Sequence, residues 1–125
     1  MRQLSMLALL VAALAAPLRA SGQNRIYLNK AEVELVVVGR SVLSRNLSTG
    51  MVSHWRFRPD GTVEAVSLSG VGKAEGTWSL HEDGRMCVAM LGRSGCRYWF
   101  RQGDSLANAE SRDPAARTIA VVDVQ

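Results

Sequence analysis

Two cysteines, Cys87 and Cys96, constrain this chain more than any other feature, because each sits inside a short run with the character of a β-strand. The runs 76–80, 85–91 and 96–100 are separated by His81-Glu82-Asp83-Gly84 and by Gly92-Arg93-Ser94-Gly95, both rich in turn residues. A tight turn centred on 92–95 sets the last two strands side by side, and cross-strand partners lie within the distance a disulfide tolerates. Two cysteines allow one intramolecular connectivity, so a Cys87–Cys96 bridge is expected. A zinc site is a poor alternative, since His54 and His81 stand at no recognisable ligand spacing from the pair. The face of the sheet that carries the cysteines is left open.

A disulfide needs an oxidising compartment, and the N-terminus has the features of a route to one. Met1-Arg2-Gln3 is a short positive start, residues 4–16 are almost wholly apolar, and Pro17-Leu18-Arg19-Ala20-Ser21-Gly22 offers small residues for cleavage. This is the outline of a secretory signal peptide, cut after Ala20 or Gly22. The apolar run is too short to cross a bilayer, which needs roughly 20 residues. No later stretch makes a transmembrane span, and no cysteine follows the run to accept a lipid. The expected division is 1–22 as signal peptide and 23–125 as one β-barrel-like domain, periplasmic or secreted. Loss of Arg2 and Arg19 with the leader would lower the formal charge from +4 by two. So mild a balance does not point to nucleic acid.

The rest of the chain reads as turns and short strands added to the central three. Asn29-Lys30-Ala31-Glu32 looks like a helix start, with Asn29 as N-cap and Glu32 closing a capping box. Ala31, Leu35 and Val38 would share one helical face and Gly39 would end it, although Val36-Val37-Val38 is β-prone. Strands are expected at 41–47, 52–58 and 62–68, with Arg58-Pro59-Asp60-Gly61 as a strong turn between the last two. Ser69-Gly70-Val71-Gly72-Lys73 is a loop or bulge; without a following helix it is a poor phosphate cradle. A weak strand follows at 105–110, and 116–124 ends the chain as a strongly β-prone run. About eight short strands joined by hairpins make the expected fold mainly β: a single-domain antiparallel meander, barrel-like in the lipocalin manner, with one short N-terminal helix. The last strand is free to close against the first, which removes exposed edges. Strands 85–91 and 96–100 carry apolar groups on both faces, so the outer face is expected to be partly covered by the helix.

Candidate chemistry is sparse. His54 belongs to the outward face of its strand, and His81, Glu82 and Asp83 to a turn. No motif links a histidine to a serine and an acid, and adjacent carboxylates such as Glu82 and Asp83 diverge. Asn46-Leu47-Ser48 matches a glycosylation sequon by chance. The basic strand residues are more distinctive. Arg56, Arg58, Arg97 and Arg101 fall on the polar faces of two strands, with Trp99 between the last two. Were those strands neighbours, Arg56, Arg58, Arg97, Trp99 and Arg101 would form an arginine–aromatic patch able to bind an anionic glycan, a lipid head group or an acidic protein.

Phe57-Arg58-Pro59-Asp60-Gly61-Thr62-Val63, Gly76-Thr77-Trp78, Asp83-Gly84-Arg85-Met86-Cys87-Val88, Cys96-Arg97-Tyr98-Trp99-Phe100 and Gly103-Asp104 together resemble the small secreted proteobacterial proteins of domain-of-unknown-function family 995. The resemblance covers residues 31–104 and consists of turn and core positions. It implies an envelope location and a turn-rich β domain, and it transfers no catalytic residues. A looser likeness is to small β-barrel lysozyme inhibitors, whose inhibitory loop pattern is not evident. The expected function is therefore a non-enzymatic, cofactor-free envelope protein that binds a small apolar or anionic ligand, or an envelope protein. The alternative is an inhibitor of a hydrolase such as lysozyme, presenting Gly92-Arg93-Ser94-Gly95 on a stapled hairpin. The bulky set Trp55, Phe57, Trp78, Met86 and Met90 favours an interior filled by side chains.

Overall fold

The computed structural model describes residues 24–68 and 72–125; the leader expected at 1–22 and the centre of the loop at 69–73 lie outside the described residues. The elements run β1 (Ile26–Tyr27), α1 (Lys30–Val36), β2 (Ser41–Asn46), β3 (Val52–Phe57), β4 (Thr62–Ser67), β5 (Lys73–Leu80), β6 (Met86–Met90), β7 (Arg93–Gln102), β8 (Ser105–Ala109) and β9 (Thr118–Val124). From β2 to β9 each strand pairs antiparallel with the next, and β9 returns to pair with β2. The result is a closed eight-stranded barrel.

Side-chain chemistry explains most of the joints. At the β3–β4 turn Gly61 takes φ 90°, and Asp60 Oδ1 accepts hydrogen bonds from the Thr62 amide at 2.9 Å and hydroxyl at 2.6 Å. At the β5–β6 turn Gly84 takes φ 87°. A Cβ there would run into the Leu28 carbonyl, so only glycine lets the N-terminal segment lie against this turn. Asp83 accepts a bond from the Arg85 amide, 3.1 Å, and another from the Tyr98 hydroxyl, 2.8 Å, which ties the turn to β7.

The β6–β7 turn differs from the sequence expectation. Met90 pairs with Arg93, so the turn is only Leu91 and Gly92, and residues 93–95 belong to a ten-residue strand. Both turn residues have positive φ, 54° and 76°, the backbone hand that joins two twisted strands through two residues. The bridge itself demands this register. Cys87 lies directly opposite Cys96, with Cα atoms 4.0 Å apart and the sulfurs bonded. A hairpin centred on 92–95 would have slid Cys96 past Cys87. Because Met86, Val88 and Met90 face the interior, strand alternation turns Cys87 outward, and the staple lies on the outer surface.

The helix plugs one end of the barrel. Asn29 Oδ1 accepts from the Glu32 amide at 2.8 Å, and Glu32 Oε1 accepts from the Asn29 amide at 2.9 Å, completing the capping box. The buried face is not the one expected: Val33 and Val37 are fully buried with Leu28, whereas Ala31 and Leu35 are exposed. Val33 and Val37, four residues apart, reach down onto Phe57, Leu106 and Val122 of the barrel floor. Of the three valines that argue for a strand, Val37 is thus part of the plug, and Val36 and Val38 are partly buried against it. The outer face of β7 is covered by something else. Phe100, Ala107 and Ala109 pack under Tyr27 of β1 and Ala116 of the last loop, with the Arg25 guanidinium 4.4 Å from the Phe100 ring centre. β1 pairs with β7 where β6 has ended, Tyr27 opposite Phe100.

Two measurements test this architecture. Replacing Cys87 by serine should lower unfolding stability by about 2–3 kcal/mol, the chain-entropy value for so short a loop, and leave the far-ultraviolet circular dichroism unchanged; loss of the β spectrum would contradict a barrel held mainly by pairing and core. The second is pH. The bond from Tyr98 holds the Asp83 carboxyl below its ordinary range and raises the phenol. Thr62 likewise lowers Asp60, and Lys73 lowers Glu64. The carboxylates contribute stability that is present above their unfolded pKa values and lost as pH falls through the lowered folded ones. Tyr98 contributes stability present below its unfolded pKa and lost as pH rises through the raised one. Denaturation midpoints should be level between about pH 5 and 9 and fall on both sides. Tyr98→Phe should lower the plateau and flatten the alkaline side; an unchanged alkaline side would refute the Asp83–Tyr98 link.

Candidate ligand-binding cavity

Strand alternation sends one set of side chains into the barrel. Phe57 is the hub of that set: its ring stacks on Trp55 at 5.8 Å and meets Trp78 and Trp99 edge-on at 6.3 and 6.2 Å. All three tryptophans of the chain therefore surround one phenylalanine. Such edge and offset arrangements satisfy the ring quadrupoles as well as burying area. With Met86, Val63 and the helix valines, this cluster fills the plugged half of the barrel.

The other half is not filled by the described residues. A cavity of about 340 Å³ reaches in from the open end, lined by Trp55, Phe57, Val88 and Met90 among its apolar groups and by Ser44, Arg93 and Ser94 among its polar ones. The bulky side chains thus pack to one side rather than occupying the whole interior, as the sequence had favoured. Eight strands enclose just enough space for one small ligand when side chains leave it free, and the volume is at the lower end for small-molecule sites. The loops at this end carry exposed Leu47, Met51, Leu68 and Leu91, so the rim is partly apolar.

Three polar groups enter the cavity wall from two neighbouring strands. Arg97 and Trp99 lie on β7, and Asn108 on β8 is the register partner of Trp99. Trp99 and Asn108 are 3% and 2% exposed. Neither the Trp99 Nε1–H nor Asn108 Oδ1 has a hydrogen-bond partner among the described residues. Arg97 forms no ion pair there either. Burial lowers its pKa from the ordinary guanidinium value, and the negative charge of Glu110 opposes that only in part.

The expected arginine–aromatic patch does not assemble. β4, β5 and β6 separate β3 from β7 on one side of the barrel, and β8, β9 and β2 on the other. Arg56 is exposed on the outside, where its guanidinium donates to Ser41 Oγ at 3.3 Å. Arg58 is engaged by Glu64 at 3.2 Å. Arg101 is exposed at the plugged end, beside Leu35 and Arg40. Arg97 and Trp99 are brought together, but inside the barrel rather than on its polar exterior. The disulfide stands apart from all of them, on the outer face. His54 contacts Gln125 at 3.4 Å and His81 contacts Arg85 at 3.3 Å, both away from the cavity wall. Asn108 was missed altogether. Its signal was present: a lone amide in Leu106-Ala107-Asn108-Ala109, a run otherwise of small or apolar residues, is a buried polar group that needs a partner.

No family model matches this chain, and no curated protein or solved structure does, so the likeness to the 995 family rests on its turn and core residues alone.

Proposed function

We propose that this chain is an exported, non-enzymatic binding protein whose barrel takes one small amphipathic ligand. The observation that carries this reading is the open, largely apolar cavity beside a packed aromatic cluster. A barrel that served only as a rigid frame would gain by filling it, since each missing contact lowers core stability. Export is supported by the apolar leader of the sequence and by the Cys87–Cys96 disulfide, which persists only where thiols are oxidised. The described lining offers two serines, Ser44 and Ser94, and no histidine to activate either. The inhibitor alternative keeps a stapled hairpin, but its tip is two residues, Leu91 and Gly92, rather than a four-residue loop for insertion into an active site.

Phenylnaphthylamine, a neutral apolar dye that brightens when it leaves water, tests the reading. The purified protein should bind it saturably at one site. Val88→Phe, which adds bulk to the cavity wall, should weaken binding about tenfold or more while circular dichroism shows the fold intact. No saturable binding by the unsubstituted protein, or binding indifferent to Val88→Phe, would overturn the proposal.

A further inference from the structure

The polar atoms of the cavity wall carry the reading one step further, to the class of ligand. The barrel satisfies the comparable groups of Trp78 and Arg58, though Arg85 Nε, outside the cavity lining, is also buried without a partner among the described residues. The Trp78 indole N–H donates to the Arg58 carbonyl at 2.8 Å, and the Arg58 guanidinium is held by Glu64 and Thr62. On the β7–β8 wall the same two kinds of group, the Trp99 indole and the Arg97 guanidinium, have no such partners among the described residues. A buried polar group without a partner is destabilising, and natural folds keep few of them. Two such atoms, Trp99 Nε1 and Asn108 Oδ1, beside an arginine without an ion pair among the described residues, make one wall of one cavity a binding device left open.

Charge decides what closes it. The described lining holds two cations, Arg93 and Arg97, and no aspartate or glutamate, although the negative charge of Glu110 reaches Arg97. A cationic ligand would be repelled, and a neutral one would leave Arg97 desolvated and compensated only in part by Glu110. Arg93 is exposed at the mouth and keeps its water. Arg97 is the one partly withdrawn from solvent, and its planar fork matches a carboxylate through two parallel N–H···O bonds. A dianionic phosphate would bring in one more charge than Arg97 offsets. The Asn108 carboxamide has nearly identical ends, so a half-turn of its last torsion presents an N–H donor beside the indole N–H.

Resting on the reading of the barrel as a ligand carrier, we propose that the ligand is an organic monocarboxylate, its carboxylate held by Arg97 with Trp99 and Asn108, and its apolar body against Trp55, Phe57, Val88 and Met90. The site selects for the anion through one wall and for the hydrocarbon or aromatic body through the other.

Displacement of phenylnaphthylamine by decanoate, decanol and decyl phosphate at neutral pH tests the assignment. Decanoate should compete about tenfold or more better than decanol, and better than decyl phosphate. Arg97→Gln, checked for fold by circular dichroism, should bring decanoate down to the affinity of decanol, and Arg97→Lys should restore part of the difference. Equal competition by decanoate and decanol, with the dye still bound, would overturn the carboxylate assignment and leave the carrier reading standing. A preference for decyl phosphate, or a decanoate preference that survives Arg97→Gln, would also overturn it. A protein that binds no dye at all would remove both readings together.

Discussion

Everything in this molecule depends on the seam where β9 pairs with β2. Val42 lies opposite Val124 and Asn46 opposite Ala120, so the first and last barrel strands, at opposite ends of the meander, are joined. Bringing such distant segments together is entropically costly and slow. Once made, the seam removes both sheet edges and converts eight half-buried strands into a closed wall. The inside of that wall is then a defined volume, and what fills it can be read residue by residue. Phe57 and its three tryptophans occupy one half, and Val33 and Val37 of the helix seal that end. The remaining half stays open.

The disulfide adds to this frame without taking part in the cavity. It lies outside, joining β6 to β7 next to their two-residue turn, and fixes the register in which Met86, Val88 and Met90 face inward. A slip of one residue would turn those three outward and bring Cys87 and Ala89 into the barrel. The covalent link and the cavity are therefore coupled through strand register. On the far side of the same strand, Tyr27 and Arg25 cover Phe100. That cover lets β7 be apolar on both faces while its inner face carries Arg97 and Trp99.

That two-sided character explains what the sequence could and could not show. The capping box of Asn29 and Glu32, the Pro59-Asp60-Gly61 turn and the cysteine pair are local devices, and each is found where its chemistry predicts. The mainly β, barrel-like fold was legible from the spacing of those devices, and closure by the last strand on the first followed the need to cover edges. The position of the β6–β7 turn was missed because Gly92 and Gly95 both look like turn residues, although the cysteine pairing already expected from the sequence tells them apart once Cys87 is set directly opposite Cys96. The direction of Arg97 and Trp99 was not legible either. On a strand with aromatics on both sides, periodicity separates the faces but does not say which is inside, and the answer comes from β1, distant in sequence. The same ambiguity hid Asn108, whose place opposite Trp99 exists only in the paired strands.

Hydrogen exchange at the seam tests the closed barrel most directly. The bonds Leu47 N to Ile119 O, 2.9 Å, and Gln125 N to Ser41 O, 2.8 Å, bracket the pairing. Antiparallel alternation then places the amides of Leu43, Arg45, Val121 and Asp123 in bonds between β2 and β9. In a closed barrel these four exchange as slowly as amides in the middle of β4 and β5. Exchange at the rate of free edge strands would mean an open sheet with no enclosed cavity, and would contradict the structure at its foundation.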